Sequence, residues 1–344
     1  MHDHGEGGAR LLLVHAHPDD ESINNGATMA KYAAEGVQVT LVTCTRGEQG
    51  EVIPAHLAYL AGADASVDGL GDWRVDELAA AMSALGVSDH RFLGDPTSPG
   101  RPAGQVSGTV YRDSGMAYGP DGGVVPAPTQ PSGAFSPVGG GESVEQPAEQ
   151  LAALIRELRP QVVVTYEPGG GYGHPDHVQT HLVTMRAIEL AALGGPAGSA
   201  GPSEVPGWTV PKVYWTVMPE SLVRATLGAL AAAEGLAYQG PDPTGRMPSE
   251  VVPDDQVTTT IDATGFVSAK VAALQAHETQ ISVSTDDAFY ALSNGIRRPV
   301  MGLEFYRLAC GVPAGPRDDV GRETDLFAGT LVARCHDLED FFGE

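Results

Sequence analysis

Basic residues are scarce in this chain of 344 residues. It has 20 Lys and Arg, of which only three are Lys, against 44 Asp and Glu, and its formal net charge is −24. A chain of this charge repels the phosphates of nucleic acids and the anionic surfaces of membranes. We therefore expect neither nucleic acid nor membrane partners.

Cysteines and long apolar runs are scarce as well. Cys44, Cys310 and Cys335 are too few and too far apart for a disulfide framework, and no C-x-x-C pair indicates a structural zinc site. The uncharged window at 122–141 is interrupted by Pro and Gly, and the N-terminus lacks the cationic start and apolar core of a signal peptide. These absences favour a cytoplasmic protein that does not cross a membrane.

Three common functional motifs are missing too. The chain contains no G-x-x-x-x-G-K-[ST] and no G-x-G-x-x-G at a strand–helix turn, which argues against a site that cradles nucleotide phosphates. It also contains no G-x-S-x-G, so a serine hydrolase of the nucleophile-elbow type has no support.

The first hundred residues alternate between strand and helix patterns. Apolar runs at 11–15, 37–44 and 90–94 predict buried strands, and apolar residues at helical spacing predict helices at 22–35 and 72–86. This alternation is typical of a Rossmann-like α/β fold, in which helices cover both faces of a mostly parallel sheet.

A stretch rich in Gly and Pro interrupts this pattern. Residues 94–142 contain 20 Gly or Pro among 49 positions and predict a long loop, partly disordered around 119–142. The pattern then resumes, and it predicts a helix at about 147–159, strands at 161–166, 212–218 and 257–262, a helix that begins near Pro175, and a helix at 264–280. We expect a catalytic domain at 9–195 that contains the 94–142 insertion. A smaller C-terminal α/β portion at 208–340 would pack on it and help to form the substrate cleft.

Two His-Pro-Asp turns follow two of the predicted strands. "HPDDE" begins at His17, and "HPDH" ends at His177. Because ligands of doubly wound sheets bind beyond the carboxyl ends of the strands, we expect the two turns to face one crevice. His17, Asp20 and His177 would then supply the three protein ligands of a catalytic zinc site, and Asp19 would remain free as a general base.

These polar residues also have ordinary structural roles. Asp19, Asp20 or Asp176 could cap a helix by accepting hydrogen bonds from its first N–H groups. His15 is expected to be a hydrogen-bonded histidine of the core or of the outer shell of the site. His181, one helical turn beyond the second motif, is a rival ligand.

The motifs together resemble those of the PIG-L/LmbE-like family of zinc-dependent de-N-acetylases. The resemblance rests on "AHPDDE", "TRGEQGEV" and "GGYGHPDH", and blocks such as "RDSGM" and "KVAALQAHETQ" extend it over most of the chain. It implies one zinc ion per subunit on His17, Asp20 and His177, with Asp19 as the base. Fe²⁺ stays open as the native metal, because the same nitrogen and oxygen ligands accept both ions.

The resemblance also assigns roles around the metal. It implies that Tyr172 and His174 act on the substrate carbonyl and on the leaving amine. It points to Glu51, Arg74 and Asp113 as partners of the substrate hydroxyls.

Two other reactive residues are expected to have no catalytic role. His277 in "QAHETQ" is interpreted as structural, and Cys44, at the end of a predicted strand, as a small apolar residue.

The reaction implied by the resemblance is hydrolysis of an amide. The N-acetyl group of N-acetylglucosaminyl-inositol, a small pseudodisaccharide, would be removed as acetate in mycothiol biosynthesis, which leaves glucosaminyl-inositol. One alternative is the amidase of mycothiol S-conjugates, which uses the same zinc chemistry on a larger substrate. The other is a noncatalytic sugar-binding α/β module. The sequence does not indicate an oligomeric state.

Overall fold

The fold is taken from a computed structural model of the chain. It describes residues 8–61, 69–95, 110–120, 123–136, 144–196, 204–233, 235–242 and 244–330. Parts of the predicted insertion at 94–142 and of its predicted disordered stretch, together with the end of the predicted C-terminal portion, lie outside these residues.

The described residues form strands and α-helices, which are numbered in chain order. The strands are β1 (Arg10–His15), β2 (Gln38–Thr43), β3 (Asp89–Phe92), β4 (Met116–Tyr118), β5 (Val124–Pro126), β6 (Val162–Tyr166), β7 (Gly195–Pro196), β8 (Glu204–Val205), β9 (Lys212–Thr216), β10 (Met218–Pro219), β11 (Val251–Val252), β12 (Thr259–Asp262), β13 (Ser282–Val283), β14 (Phe289–Ala291), β15 (Arg298–Pro299) and β16 (Leu303–Cys310). The α-helices are α1 (Asp20–Ala34), α2 (Gly69–Leu85), α3 (Glu145–Leu158), α4 (Pro175–Ala192), α5 (Glu220–Ala232) and α6 (Val267–Ala276). Within the described ranges, no helix is both long and apolar enough to cross a membrane.

A seven-stranded sheet with the order β12-β16-β9-β6-β1-β2-β3 forms the centre of the molecule. The five strands from β9 to β3 pair in parallel, whereas β16 and β12 pair antiparallel at one side. The predicted α/β class with a mostly parallel sheet is therefore confirmed. The portion predicted at 208–340 contributes β9, β12 and β16 to this same sheet.

The two faces of the sheet bury separate cores. Leu11 and Leu13 of β1 pack towards α1, α2 and α6, and Leu12 and Val14 pack towards α3 and α4 on the opposite face. Successive side chains of a strand point to opposite faces, so a strand that is covered on both sides is apolar at most of its positions. This requirement explains the continuous apolar runs of the central strands.

Two parts of the chain depart from a simple alternating pattern. The described residues of 94–142 form only the small antiparallel pair β4 and β5, outside the central sheet, which agrees with the predicted absence of a central strand there. In contrast, β16 was not predicted, because Glu304 and Arg307 interrupt its apolar pattern. Glu304 is nevertheless buried, where its carboxylate accepts a hydrogen bond from Lys270 Nζ at 2.7 Å.

The strand order creates a crevice between β1 and β6. From β1 the chain continues through α1 to β2 on one side, and from β6 it continues through α4 to β9 on the other side. Loops that diverge in this way leave an opening beyond the carboxyl ends of the two strands. Both His-Pro-Asp motifs lie at this opening.

Candidate active site

Three side chains from the two motifs meet in the crevice. His17 Nδ1 lies 3.3 Å from His177 Nε2 and 3.4 Å from Asp20 Oδ2, and Asp20 Oδ1 lies 3.4 Å from His177 Nε2. All three side chains are buried. Two segments separated by about half of the sequence are thus brought to one point.

The spacing of these atoms fits a divalent metal. Zinc binds nitrogen and oxygen at about 2.0–2.2 Å in a tetrahedral arrangement, which puts neighbouring ligand atoms about 3.3–3.6 Å apart. The distances among His17, Asp20 and His177 agree with this value. Their donor set, two imidazoles and one carboxylate, is also one that a catalytic zinc site uses.

The other nitrogen of His17 faces a second pair of carboxylates. Its Nε2 lies 3.2 Å from Asp176 Oδ2 and 3.7 Å from Asp113 Oδ1. Asp176 is fully buried and also accepts the backbone N–H of Ser114 at 2.9 Å. A carboxylate in this position fixes the proton of the imidazole on Nε2 and leaves Nδ1 free to bind a metal.

Asp176 was considered only as a possible helix cap in the sequence. Its position two residues after His174, on the first turn of α4, carries no separate signal, because any first-turn carboxylate looks the same. Only the fold brings it to His17, which is 159 residues away in the chain. Structural proximity therefore adds Asp176 to the residues of the site.

Asp19 stands beside the cluster in a strained conformation. Its φ of 124° is rarely adopted by a residue other than glycine. Its side chain is half-buried, and within the described part of the chain no group donates a hydrogen bond to its carboxylate. Burial, reinforced by the neighbouring Asp20, raises the pKa of Asp19 to about 8. A carboxylate of this kind has a strong tendency to take up a proton.

His174 and Tyr172 line the same crevice. The backbone N–H of Asp176 donates to His174 Nδ1 at 3.1 Å, so that the proton of the neutral ring must lie on Nε2. Burial lowers the pKa of His174 to about 2, which keeps the ring neutral. The ring of Tyr172 packs edge-on to that of His177, with 5.0 Å between the centroids, and the residue is 45% exposed. Tyr172 therefore lies at the opening of the crevice.

The three residues predicted to contact substrate hydroxyls have different surroundings. Asp113 is buried near His17, and it accepts the N–H groups of Gln49 and Gly115. Arg74 is also buried, and its guanidinium donates to the carbonyls of Gly47 and Glu51.

The side chain of Glu51 is exposed, unlike those of Asp113 and Arg74. Of these three residues, the fold brings Asp113 directly to the cluster. Arg74 instead holds the backbone of the loop that carries Glu51.

The hydrogen bonds of His15 and His181 go to groups outside the cluster, and Cys44 is unreactive. His15 is buried, and its Nε2 pairs with Asn25 Oδ1 at 2.8 Å. His181 Nδ1 pairs with the carbonyl of Tyr166 at 2.9 Å. Cys44 is buried, and burial raises the pKa of its thiol to about 12, so it is a poor nucleophile.

A parallel α/β sheet that gathers two histidines and a carboxylate beside a second, free carboxylate is typical of hydrolases that use a metal-bound water. The chain belongs to the PIG-L family, since residues 12–188 match the family model described as GlcNAc-PI de-N-acetylase. Membership of this family makes it a deacetylase, a hydrolase that acts on amide bonds. The alternative of a noncatalytic module has no support in these comparisons.

Relatives of nearly full length share about half of its residues. A protein of Kineococcus radiotolerans named 1D-myo-inositol 2-acetamido-2-deoxy-alpha-D-glucopyranoside deacetylase is 52% identical over 93% of this chain and 82% of its own. A protein of the same name from a Nocardioides species is 50% identical over 93% of this chain and 98% of its own. Among solved structures, the N,N'-diacetylchitobiose deacetylase of Pyrococcus horikoshii is 18% identical, with 82% of this chain and 73% of that chain covered and a TM-score of 0.48.

Proposed function

We propose that this enzyme removes the N-acetyl group of N-acetylglucosaminyl-inositol. The products would be acetate and glucosaminyl-inositol, in a step of mycothiol biosynthesis. The observation that carries the proposal is the convergence of His17, Asp20 and His177 on one point beside the free carboxylate of Asp19. The substrate is supported by the printed names of relatives that align over 93% of this chain.

One zinc ion per subunit would be held by His17 Nδ1, Asp20 and His177 Nε2. When bound, the ion would polarise a water molecule and lower its pKa from about 15.7 towards about 7. Fe²⁺ remains a second candidate on the same ligands. Asp176 would keep His17 in the tautomer that this role requires.

Asp19 would act as the general base. Its carboxylate is free of hydrogen bonds from described residues, and its raised pKa suits it to accept a proton from the attacking water. Since the burial that raises this pKa persists during turnover, the protonated carboxyl could also return the proton to the leaving amine.

His174 and Tyr172 would act on the two ends of the amide. His174 carries its proton on Nε2, the nitrogen that its backbone contact leaves free, and this N–H would donate a hydrogen bond to the leaving nitrogen or to the carbonyl oxygen. The hydroxyl of Tyr172 would donate a hydrogen bond to the oxyanion, and one such donor typically stabilises the transition state by about 3–4 kcal/mol. Its exposed position allows it to move as the substrate enters.

Glu51, Arg74 and Asp113 would recognise the hydroxyls of the substrate. Asp113 is already next to His17, so it is placed to bind a sugar close to the acetamide group. Arg74 donates to the carbonyls on both sides of the turn at 47–51, and it would set the position of Glu51 through this turn. The substrate is a small molecule, and we propose that the reaction takes place in the cytoplasm.

Acetate release from two substrates tests the proposal. The wild-type enzyme should release acetate from N-acetylglucosaminyl-inositol, and the His177→Ala variant should lose both this activity and the bound metal. A bimane-labelled mycothiol conjugate serves as the competing substrate. Faster turnover of the conjugate would identify an amidase and overturn the proposed substrate.

A further inference from the structure

The peptide bond between Pro18 and Asp19 has both of its polar atoms engaged by side chains. Gln280 Nε2 donates to the carbonyl of Pro18 at 2.6 Å. The N–H of Asp19 donates to Glu21 Oε2 at 3.0 Å. A peptide plane held at both ends cannot rotate about its neighbouring bonds without losing a hydrogen bond.

The orientation of this plane sets the φ angle of Asp19. That angle is 124°, a region that a residue with a side chain leaves readily unless its surroundings hold it there. The two hydrogen bonds on the Pro18–Asp19 peptide are the contacts that oppose this relaxation. They therefore also determine where the Asp19 carboxylate points.

The side chain of Glu21 is held in turn by two hydrogen bonds to its other carboxylate oxygen. Its Oε1 accepts from His277 Nε2 at 2.8 Å and from the hydroxyl of Ser22 at 2.6 Å. Glu21 and His277 are fully buried, and a carboxylate can only accept, so the proton in this contact lies on His277 Nε2. Removal of His277 would leave a buried carboxylate with one donor fewer.

His277 and Gln280 reach the loop from one short segment that follows α6. This segment is anchored separately, because Glu77 accepts both the N–H and the hydroxyl of Thr279 at 2.8 Å. The N–H of Ile53 also donates to the carbonyl of Thr279. A rigid support of this kind can impose a conformation on the loop opposite.

We propose that Glu21, His277 and Gln280 form a clamp on the Pro18–Asp19 peptide that positions the Asp19 carboxylate for its role as general base. These three are positioning residues and do not touch the substrate. The inference rests on the proposed function, since it concerns the base of that reaction. It gives "QAHETQ", which the sequence presented as structural, a defined task in catalysis.

The clamp is tested first with variants of nearly constant size. Gln280→Met removes the donor to Pro18, and Gln275→Met, an exposed glutamine on α6, is the matched control. We expect kcat of Gln280→Met for acetate release to fall about tenfold or more, because small displacements of a catalytic group have effects of this size. KM and metal content should stay close to those of wild type, and Gln275→Met should behave as wild type.

His277 supplies a second pair of variants. His277→Leu removes the donor to Glu21, whereas the amide of His277→Gln can place an N–H near the position of Nε2 and should recover most of the lost kcat. If His277→Leu fails to fold, Gln280→Met carries the test alone. A merely structural role would lower stability and the folded fraction without this selective recovery of kcat.

A double-mutant cycle with Asp19→Asn decides whether the clamp acts through the base. In the Asp19→Asn background, Gln280→Met should cost less than about twofold, since the base that the clamp positions is already absent. Unchanged kcat in the single variants, an equal loss in both backgrounds, or loss of metal would overturn the clamp. Failure of the wild-type enzyme to release acetate would instead overturn the proposed function.

Discussion

The buried contact between Asp176 and His17 gives the most specific prediction about the metal centre. Asp176→Asn preserves the shape of the side chain but replaces one carboxylate oxygen with an NH₂ group. Both contacts of Asp176 fall on the same oxygen, Oδ2, so the amide oxygen is expected to keep the hydrogen bonds with the N–H of Ser114 and with His17 Nε2. The NH₂ group then takes the position of Oδ1, which has no hydrogen-bond partner among the described residues. His17 therefore keeps its proton on Nε2, but it loses the negative charge that makes Nδ1, the nitrogen that faces Asp20 and His177, a stronger ligand.

The expected size of the effect follows from this loss of charge. Loss of an outer-shell partner of a metal-binding histidine typically lowers metal affinity about 10- to 100-fold, or about 1.4–2.7 kcal/mol. Asp176 lies 3.2 Å from Nε2 and is fully buried, so water cannot replace it. Because Asp176→Asn keeps this hydrogen bond and removes only the charge, we expect a loss at the lower end of this range, about tenfold.

Competition with a chromophoric chelator measures the affinity directly. Glu189→Gln, on the same helix α4, removes the same charge at a site where the carboxylate bonds to Arg186, and it serves as the control. The metal dissociation constant should rise for Asp176→Asn and stay unchanged for Glu189→Gln. Equal affinity in the two variants would refute the role assigned to Asp176.

Three further predictions concern single residues. Asp19→Asn should lower kcat about 10²- to 10⁴-fold while the metal content, measured by mass spectrometry, stays at the wild-type value; loss of metal would instead make Asp19 a ligand. Burial alone would lower the pKa of His277, but the neighbouring carboxylate of Glu21 outweighs it and raises this pKa above its ordinary 6.5. The stability from this ion pair is therefore complete below the ordinary pKa and is lost as the pH rises through the raised pKa. In denaturant titrations, the difference in unfolding free energy between wild type and His277→Gln should be larger at about pH 6 than at about pH 9. A difference that does not change with pH would contradict the ion pair. Cys44 in the native protein should resist maleimide at about pH 8, as followed by peptide mass spectrometry, because its thiol is buried and its pKa is about 12; rapid labelling would contradict this burial.

Much of the fold could be predicted because burial on both faces leaves a clear mark on a strand. The strands β1, β2 and β6 are buried at nearly every position and most of their residues are apolar, and helical spacing marks the helices between them. β16 lacks this continuous apolar pattern, because it contains Glu304, whose buried carboxylate accepts a hydrogen bond from Lys270 of the distant helix α6. A partner 34 residues away cannot be read from local periodicity.

The candidate site also contains residues that the sequence predicts and residues that it does not. His17, Asp20 and His177 could be predicted because their motifs directly follow strands, and the strand order brings such loops together. The residues that hold these motifs and the neighbouring loop in place could not be predicted. Glu21 and His277 are 256 residues apart and have no pattern in common, and no local pattern in the sequence indicates that Arg74 is buried. Residues that act through backbone groups of a loop leave little trace in the sequence of that loop.

The central claim is that one metal ion binds at the Nδ1 side of His17. Anomalous diffraction at the zinc absorption edge, from crystals grown with zinc, locates the ion directly. A single strong peak should lie about 2.0–2.2 Å from His17 Nδ1, Asp20 and His177 Nε2. A peak on the other side of the ring, between His17 Nε2, Asp113 and Asp176, would contradict the ligand set and the tautomer on which the mechanism depends.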